Sequence, residues 1–354
     1  MTQIIVLFGG RGNERHVSVA SGQNVVRTIP DVLCWFWSPS GAIHDVAVGD
    51  LLAHKRPFEL DYEPARPAIW PTLDQALDTM PVEAPLFLLA LHGGEGEDGT
   101  VQKALEGRGI PFTGSGSQAS ANAFDKGKAK EIVRGAGVRM AASIEIPTAD
   151  EVHVTEALNR LLASSERAVL KPLADGSSRG LYFVDRGDDL AAVARQVAAV
   201  GVPYLAEQFI AGREITVAVI EEEGKPRALP CLEIETDPGH VFDYAGKYLG
   251  TGTREICPAN IPAHVSAEAQ GAALAAHSAL GCQGYSRSDL VAAADGVYFL
   301  ETNTLPGLTS SSLVPQQLAA AGLSFEQFLR QQLEMARRSG GGARTRQQIH
   351  EGVT

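Results

Sequence analysis

Twice in its first hundred or so residues the chain runs a short apolar stretch into a glycine-rich turn and then into a segment with helical spacing. Ile4–Phe8 meets Gly9-Gly10-Arg11-Gly12, and Val17, Ala20 and Val25 follow; Leu86–Leu91 ends at His92-Gly93-Gly94, and Val101–Leu105 continues as a helix. Strands alternating with helices pair in parallel, and such sheets bind ligands at the carboxyl ends of their strands, where these glycine turns fall. An α/β fold is the expectation. Pro39–Pro85 carries no clear periodicity.

Further along, Asp125 suits the N-cap of a helix over Lys126–Arg134, with Ala129, Ile132 and Val133 on one face and Gly135 and Gly137 ending it. Short strands are expected at Ala168–Lys171, Tyr182–Val184, Tyr204–Gln208 and Ile215–Ile220. Helices are expected near Leu190–Val200 and Ala267–Leu280, then strands at Tyr285–Val291 and Val297–Leu300 and a helix at Phe325–Ala336. From Ser339 to Thr354 the chain is polar and glycine-rich, which predicts a disordered tail.

At 354 residues the chain has room for two or three domains. Its formal net charge of −12 argues against binding to nucleic acid or to an anionic membrane. The longest apolar run, Leu86–Leu91, is far short of the ~20 residues a membrane span needs. The first residues lack the basic start of a secretory signal, so a cytoplasmic protein is expected. Cys34, Cys231, Cys257 and Cys282 are scattered without metal-binding spacing and read as buried thiols.

Several nucleotide templates fail. Gly10-Arg11-Gly12 begins a dinucleotide-binding GxGxxG, but Arg15 occupies its last position. No GxxxxGK[ST], GxSxG or HExxH occurs. Lys171-Pro172-Leu173-Ala174-Asp175-Gly176-Ser177-Ser178-Arg179-Gly180 is either a phosphate-covering loop or simply a turn. The C-terminal carboxylates say more. If Ala294-Asp295-Gly296 is a three-residue hairpin loop with Gly296 left-handed, Asp289 lies opposite Glu301 and Arg287 opposite Asn303. Opposed carboxylates with an amide oxygen suit Mg²⁺ carrying nucleotide phosphates, and the arginine suits developing negative charge.

Together these residues resemble the D-alanine–D-alanine ligases of the ATP-grasp superfamily. The resemblance runs in order from Gly9 to about Pro315. It rests on His92-Gly93-Gly94-Glu95-Gly96-Glu97-Asp98-Gly99, similar to the family's HGxxGEDG, and on Glu301-Thr302-Asn303-Thr304-Leu305-Pro306-Gly307, similar to its ExNTxPG. Gly212-Arg213-Glu214-Ile215, Asp243-Tyr244-Ala245-Gly246-Lys247-Tyr248 and Thr309–Pro315 add to it. It implies an ATP-grasp fold, α/β with an α+β ATP-binding part. Residues 1–114 would form a Rossmann-like substrate domain, 115–207 and 208–338 the two ATP-grasp subdomains, and 339–354 the tail.

By the same resemblance Lys126, Lys171 and Ser178 belong to the ATP phosphate site. The backbone groups of Glu207, Gln208, Phe209 and Ile210 form the hinge that reads adenine, and Glu214 takes the ribose. Asp289, Glu301 and Asn303 hold two Mg²⁺ (or Mn²⁺) ions. Arg287 and the Gly307 N–H stabilise the tetrahedral oxyanion, and Lys247 the transferring phosphoryl group. Glu14, hydrogen-bonded through Ser177 and Tyr248, holds the first substrate's ammonium. His92 lies near that substrate, or is a strand-end histidine with a structural bond, and Ser312 and Leu313 take the second substrate's carboxylate. The implied activity joins two D-alanines through an acyl phosphate, for peptidoglycan precursor synthesis, in a homodimer. A ligase for another amino-acid pair and a non-catalytic ATP-binding module stay open as alternatives. The chain departs from the family pattern at Lys103, Arg179, Ser288 and Thr302.

Overall fold

The structure is a computed structural model that describes residues 2–174, 180–237 and 252–350. Its first body alternates β1 (Gln3–Gly9), α1 (Arg15–Thr28), β2 (Leu33–Trp37), β3 (Ile43–Val46), α2 (Val48–Ala53), α3 (Leu73–Thr79), β4 (Pro85–Leu89) and α4 (Thr100–Glu106). The sheet order is β3-β2-β1-β4, with β1 parallel to both β2 and β4 and β3 antiparallel at the edge. Ile5, Val6, Leu7 and Phe8 are fully buried, as a parallel strand covered on both faces requires. The segment without periodicity supplies the antiparallel edge strand and two short helices.

The next elements are α5 (Ser117–Phe124), α6 (Lys126–Gly135), β5 (Ser143–Ile146), α7 (Glu151–Leu162), β6 (Arg167–Pro172), β7 (Tyr182–Asp185), α8 (Leu190–Val200) and β8 (Tyr204–Gln208). The side chain of Asp125 accepts from the Lys128 N–H, capping α6 as its sequence suggests. The four strands form an antiparallel sheet ordered β5-β8-β6-β7, backed by α7 and α8 around Leu158, Leu170 and Val197.

The third sheet contains β9 (Arg213–Glu222), β10 (Lys225–Ala228), β11 (Leu232–Thr236) and β12 (Thr253–Ile256), then, after α9 (Ala263–Leu280), β13 (Tyr285–Ala293) and β14 (Gly296–Asn303). Its order is β12-β11-β9-β13-β14, with β10 paired to β9. The last helices are α10 (Leu313–Ala320) and α11 (Phe325–His350). Leu305, Leu308, Val314, Leu318, Phe328 and Leu333 join the core of the first sheet, so the loop after β14 is held against the turns after β1 and β4.

Two expectations change. Helix α11 passes the expected end at Ala336 and runs to His350, within the stretch read as a disordered tail. That stretch has glycines but no proline, and a helix tolerates glycine at about 1 kcal/mol each. All four cysteines are free thiols, but Cys257 is only partly buried.

Candidate active site

The β13–β14 hairpin brings its four polar residues together in the expected register, Arg287 opposite Asn303 and Asp289 opposite Glu301. It arrives there differently. Ala293 pairs with Gly296, so the turn holds only Ala294 and Asp295, and an irregularity between Asp289 and Leu290 leaves Leu300 as an extra residue on β14. One residue fewer at the turn and one more at the bulge cancel at the site. Gly296 has φ of 139° instead of the left-handed helical value. Ser288 and Thr302 alternate to the opposite face, where their buried hydroxyls bond each other at 2.8 Å.

Asp289 is held from three sides. Arg287 donates Nε to Oδ1 at 2.9 Å and Nη2 to Oδ2 at 2.8 Å, Thr216 Oγ1 donates to Oδ1 at 2.6 Å, and Asn303 Nδ2 lies 3.4 Å from Oδ2. Glu301 Oε2 lies 3.4 Å from Lys126 Nζ. Two cross-strand carboxylates repel unless cations attend them, and turning the Asn303 amide presents its oxygen to the same place. This all-oxygen donor set fits Mg²⁺.

Opposite the hairpin, Lys171 at the end of β6 reaches Glu207 Oε2 at 2.5 Å. Lys130 Nζ lies 2.6 Å from Glu207 Oε1 and donates to the Phe299 carbonyl at 3.4 Å. Lys130 and Glu207 are 2% and 4% exposed, so this is an interior ion cluster. Burial pushes Lys130 down to about 8, against the attraction of Glu207. For Glu207 burial opposes ionisation, but Lys171 and Lys130 outweigh it and the carboxyl titrates below its ordinary value. The Gln208 N–H bonds to Ala142 O and the Phe209 N–H to Arg167 O. Phe209 packs under the Arg167 guanidinium and edge-on to Phe183. Ile210 follows β8, and Glu214 is exposed on β9 opposite Val291, on the same face as Thr216 and Asp289.

The third part lies where the turns after β1, β4 and β14 meet. Glu14 stands at the start of α1, its carboxylate against Gly93. A Cβ at Gly93 would lie 2.2 Å from Glu14 Oε2, and φ there is +63°, so only glycine lets this carboxylate in. His92 is buried, with Nδ1 2.8 Å from Leu305 O and Nε2 2.8 Å from Ser21 Oγ. A carbonyl only accepts, so Nδ1 carries the proton and Ser21 donates to Nε2, while Ser21 Oγ accepts from Leu308 N–H at 3.2 Å. Burial lowers the His92 pKa and keeps this neutral relay. Both ring nitrogens are engaged, so His92 orients the Leu305–Leu308 loop. Glu97 spans the same junction, accepting Gly93 N–H at 3.1 Å and Leu305 N–H at 3.2 Å. Burial, then the nearby Glu14 charge, raise it to about 7.

Beyond Leu305, a Cβ at Gly307 would sit 2.6 Å from Ser312 Oγ, so the chain passes close beneath the start of α10. Ser312 stands at the N-cap position of α10 without a side-chain cap bond, its Oγ instead accepting the Thr309 N–H at 3.1 Å in the preceding loop. Leu313 opens the first turn, where helix N–H groups and the dipole favour a carboxylate.

Thus Glu14, His92, Gly307, Ser312 and Leu313 gather at one junction, and Lys126 links the nucleotide side to the Arg287, Asp289, Glu301 and Asn303 hairpin. Ser177, Ser178, Arg179, Asp243, Lys247 and Tyr248 lie outside the described residues. The sequence reading missed Ser21, Lys130 and Thr216, and quoted Glu97 within a motif without giving it a role. Lys130 left a signal: it stands four residues after Lys126 and three before Val133, a lysine on the apolar side of α6.

Known proteins resemble this chain in sequence and in fold. The family model described as D-ala D-ala ligase N-terminus matches residues 3–115, and that described as D-ala D-ala ligase C-terminus matches 133–334. A D-alanine--D-alanine ligase of Nitrosomonas europaea is 35% identical, covering 94% of this chain and 97% of its own. One from Cereibacter sphaeroides is 38% identical, with 92% and 93% covered. Among solved structures, the VanG D-Ala:D-Ser ligase of Enterococcus faecalis superposes with a TM-score of 0.78 at 28% identity, covering 95% of this chain and 99% of that one. The D-alanine--D-alanine ligase of Bacillus anthracis complexed with ATP gives 0.72 at 27% identity, with 97% and 99% covered. On family models that together span most of its length, and on relatives matched nearly end to end, the chain belongs to the D-alanine–D-alanine ligase family.

Proposed function

We propose that the protein joins two molecules of D-alanine with cleavage of ATP, giving D-alanyl-D-alanine, ADP and phosphate for peptidoglycan precursor synthesis. The observation that carries this reading is the hairpin cluster of Arg287, Asp289, Glu301 and Asn303 set beside Lys126 in a chain of this family. A carboxylate is a poor electrophile because oxide must leave. Phosphorylation converts that oxygen into a good leaving group, and the second amine then displaces phosphate.

Asp289, Glu301 and Asn303 would hold Mg²⁺, which when bound neutralises and orients the nucleotide phosphates. Lys126 and Lys171 add positive charge there, and Glu214 receives the ribose. Glu14 holds the first D-alanine by its ammonium, leaving its carboxylate toward Arg287. As the amine attacks, Arg287 and the Gly307 N–H stabilise the oxyanion. The start of α10, at Ser312 and Leu313, holds the second carboxylate. Ser177 and Tyr248 are assigned to the Glu14 hydrogen-bond chain, Ser178 to the phosphates and Lys247 to the transferred phosphoryl group, by their motif positions alone. Water must be excluded from the acyl phosphate, which would otherwise hydrolyse. A cytoplasmic homodimer completes the proposal.

The test is ATP-dependent phosphate release with paired acceptors. D-Alanine with itself should exceed D-alanine with D-serine or D-lactate. ATP binding that no amino-acid pair converts to turnover would sink the ligase reading in favour of a binding module.

A further inference from the structure

Lys130 has no role in the chemistry above, yet it is a charged group buried at the nucleotide site. At 2% exposed beneath β14 it cannot reach a ligand. Its ammonium instead takes Glu207 Oε1 at 2.6 Å, while Lys171, from another strand, takes Oε2 at 2.5 Å. One buried cation, Lys130, and one partly buried cation, Lys171, therefore share one carboxylate, one to each oxygen. Lys126 and Glu301, paired at 3.4 Å, are a neighbouring pair of opposite charge. Among the described residues, Lys130, Lys171 and Glu207 together carry a surplus of one positive charge.

That surplus matters because Glu207 and a phosphate would compete for Lys171. Had Glu207 no other partner, it would form a neutral buried pair with Lys171, and a phosphate would have to break that pair to gain the lysine. We infer that Lys130 is a positioning residue for ATP: as the counter-ion of Glu207 it leaves the charge of Lys171 uncompensated, and so available to a nucleotide phosphate. The inference rests on the proposed phosphate role of Lys171. Lys130 also ties α6 to β8 and β14, and that structural role is what the test must separate from the charge role.

The experiment is steady-state kinetics on the full-length enzyme with ATP and D-alanine varied separately. Lys130→Met keeps most of the unbranched length and removes the charge. It should raise the KM for ATP about tenfold, or about 1.4 kcal/mol, and leave the KM for D-alanine within about twofold. Adding Glu207→Gln removes the competing anion and leaves the backbone groups assigned to adenine in place, so it should bring the ATP KM back to within about threefold of wild type. A merely structural lysine gives the opposite result, with the double variant worse than the single one. That outcome, or a wild-type ATP KM in Lys130→Met, overturns the inference. Should Lys130→Met alone not fold, the double variant decides: an ATP KM within about threefold of wild type supports the inference, and a tenfold rise overturns it. Lys171→Met is the control. Unchanged ATP KM there overturns the phosphate reading and this inference together. A raised value beside an unaffected Lys130→Met overturns the inference alone.

Discussion

Glu97→Gln should make the protein more stable relative to wild type as pH rises, while damaging the site. Glu97 is 9% exposed, and burial together with the Glu14 charge lift its carboxyl from the ordinary 4.5 to about 7. Between those values the folded chain keeps a proton that the unfolded chain has lost, so wild-type stability falls with rising pH until the folded group has also ionised. At about 1.4 kcal/mol per tenfold, the full window corresponds to roughly 3 kcal/mol, and about 2.5 kcal/mol of it lies between pH 5 and pH 8. Glutamine resembles the neutral acid and has no such window. The unfolding free energy of the variant minus that of wild type should therefore rise by about 2.5 kcal/mol from pH 5 to pH 8. Urea melts followed by tryptophan fluorescence report on the right body, since Trp35, Trp37 and Trp70 all lie in or beside the first sheet. Turnover should drop, because glutamine offers one acceptor where Gly93 N–H and Leu305 N–H need two. A difference that stays flat between the two pH values would refute the reasoning.

Two other substitutions test separate parts of the site. Glu301→Gln should keep the melting temperature within a few degrees and lose about a hundredfold or more in turnover, only partly recovered by raising Mg²⁺; wild-type turnover at every Mg²⁺ concentration would remove Glu301 from the metal set. Gly93→Ala should raise the KM for D-alanine at least about tenfold and leave that for ATP unchanged, because the added carbon meets Glu14 Oε2 at 2.2 Å in a backbone with φ of +63°.

What could be read from the sequence was local. Alternating strands, glycine turns and caps depend on neighbours within a few residues, and β8 and α8 fall where their sequences place them. The metal hairpin shows how a local rule reaches the right contact by an inexact route, since the shorter turn and the bulge at Leu300 offset each other. The residues missed are those whose partners are remote in sequence. Ser21 reads as an ordinary small residue on a buried helix face until Leu308, 287 positions away, donates to its hydroxyl. Lys130 meets Glu207 only because α6, packed against β14, lies within reach of β8, and Thr216 becomes an anchor for Asp289 only across the β9–β13 ladder. Spacing within a motif carries none of this, because the contacts are set by how the three sheets meet.

The central claim is that a D-alanine carboxylate is activated by phosphorylation before the peptide bond forms. The most direct measurement uses D-alanine carrying ¹⁸O in its carboxylate, with ATP and Mg²⁺, and mass spectrometry of the products. An acyl phosphate loses one carboxylate oxygen to the departing phosphate. The account therefore predicts one ¹⁸O in inorganic phosphate for each D-alanyl-D-alanine formed. Dipeptide accompanied by unlabelled phosphate would contradict it.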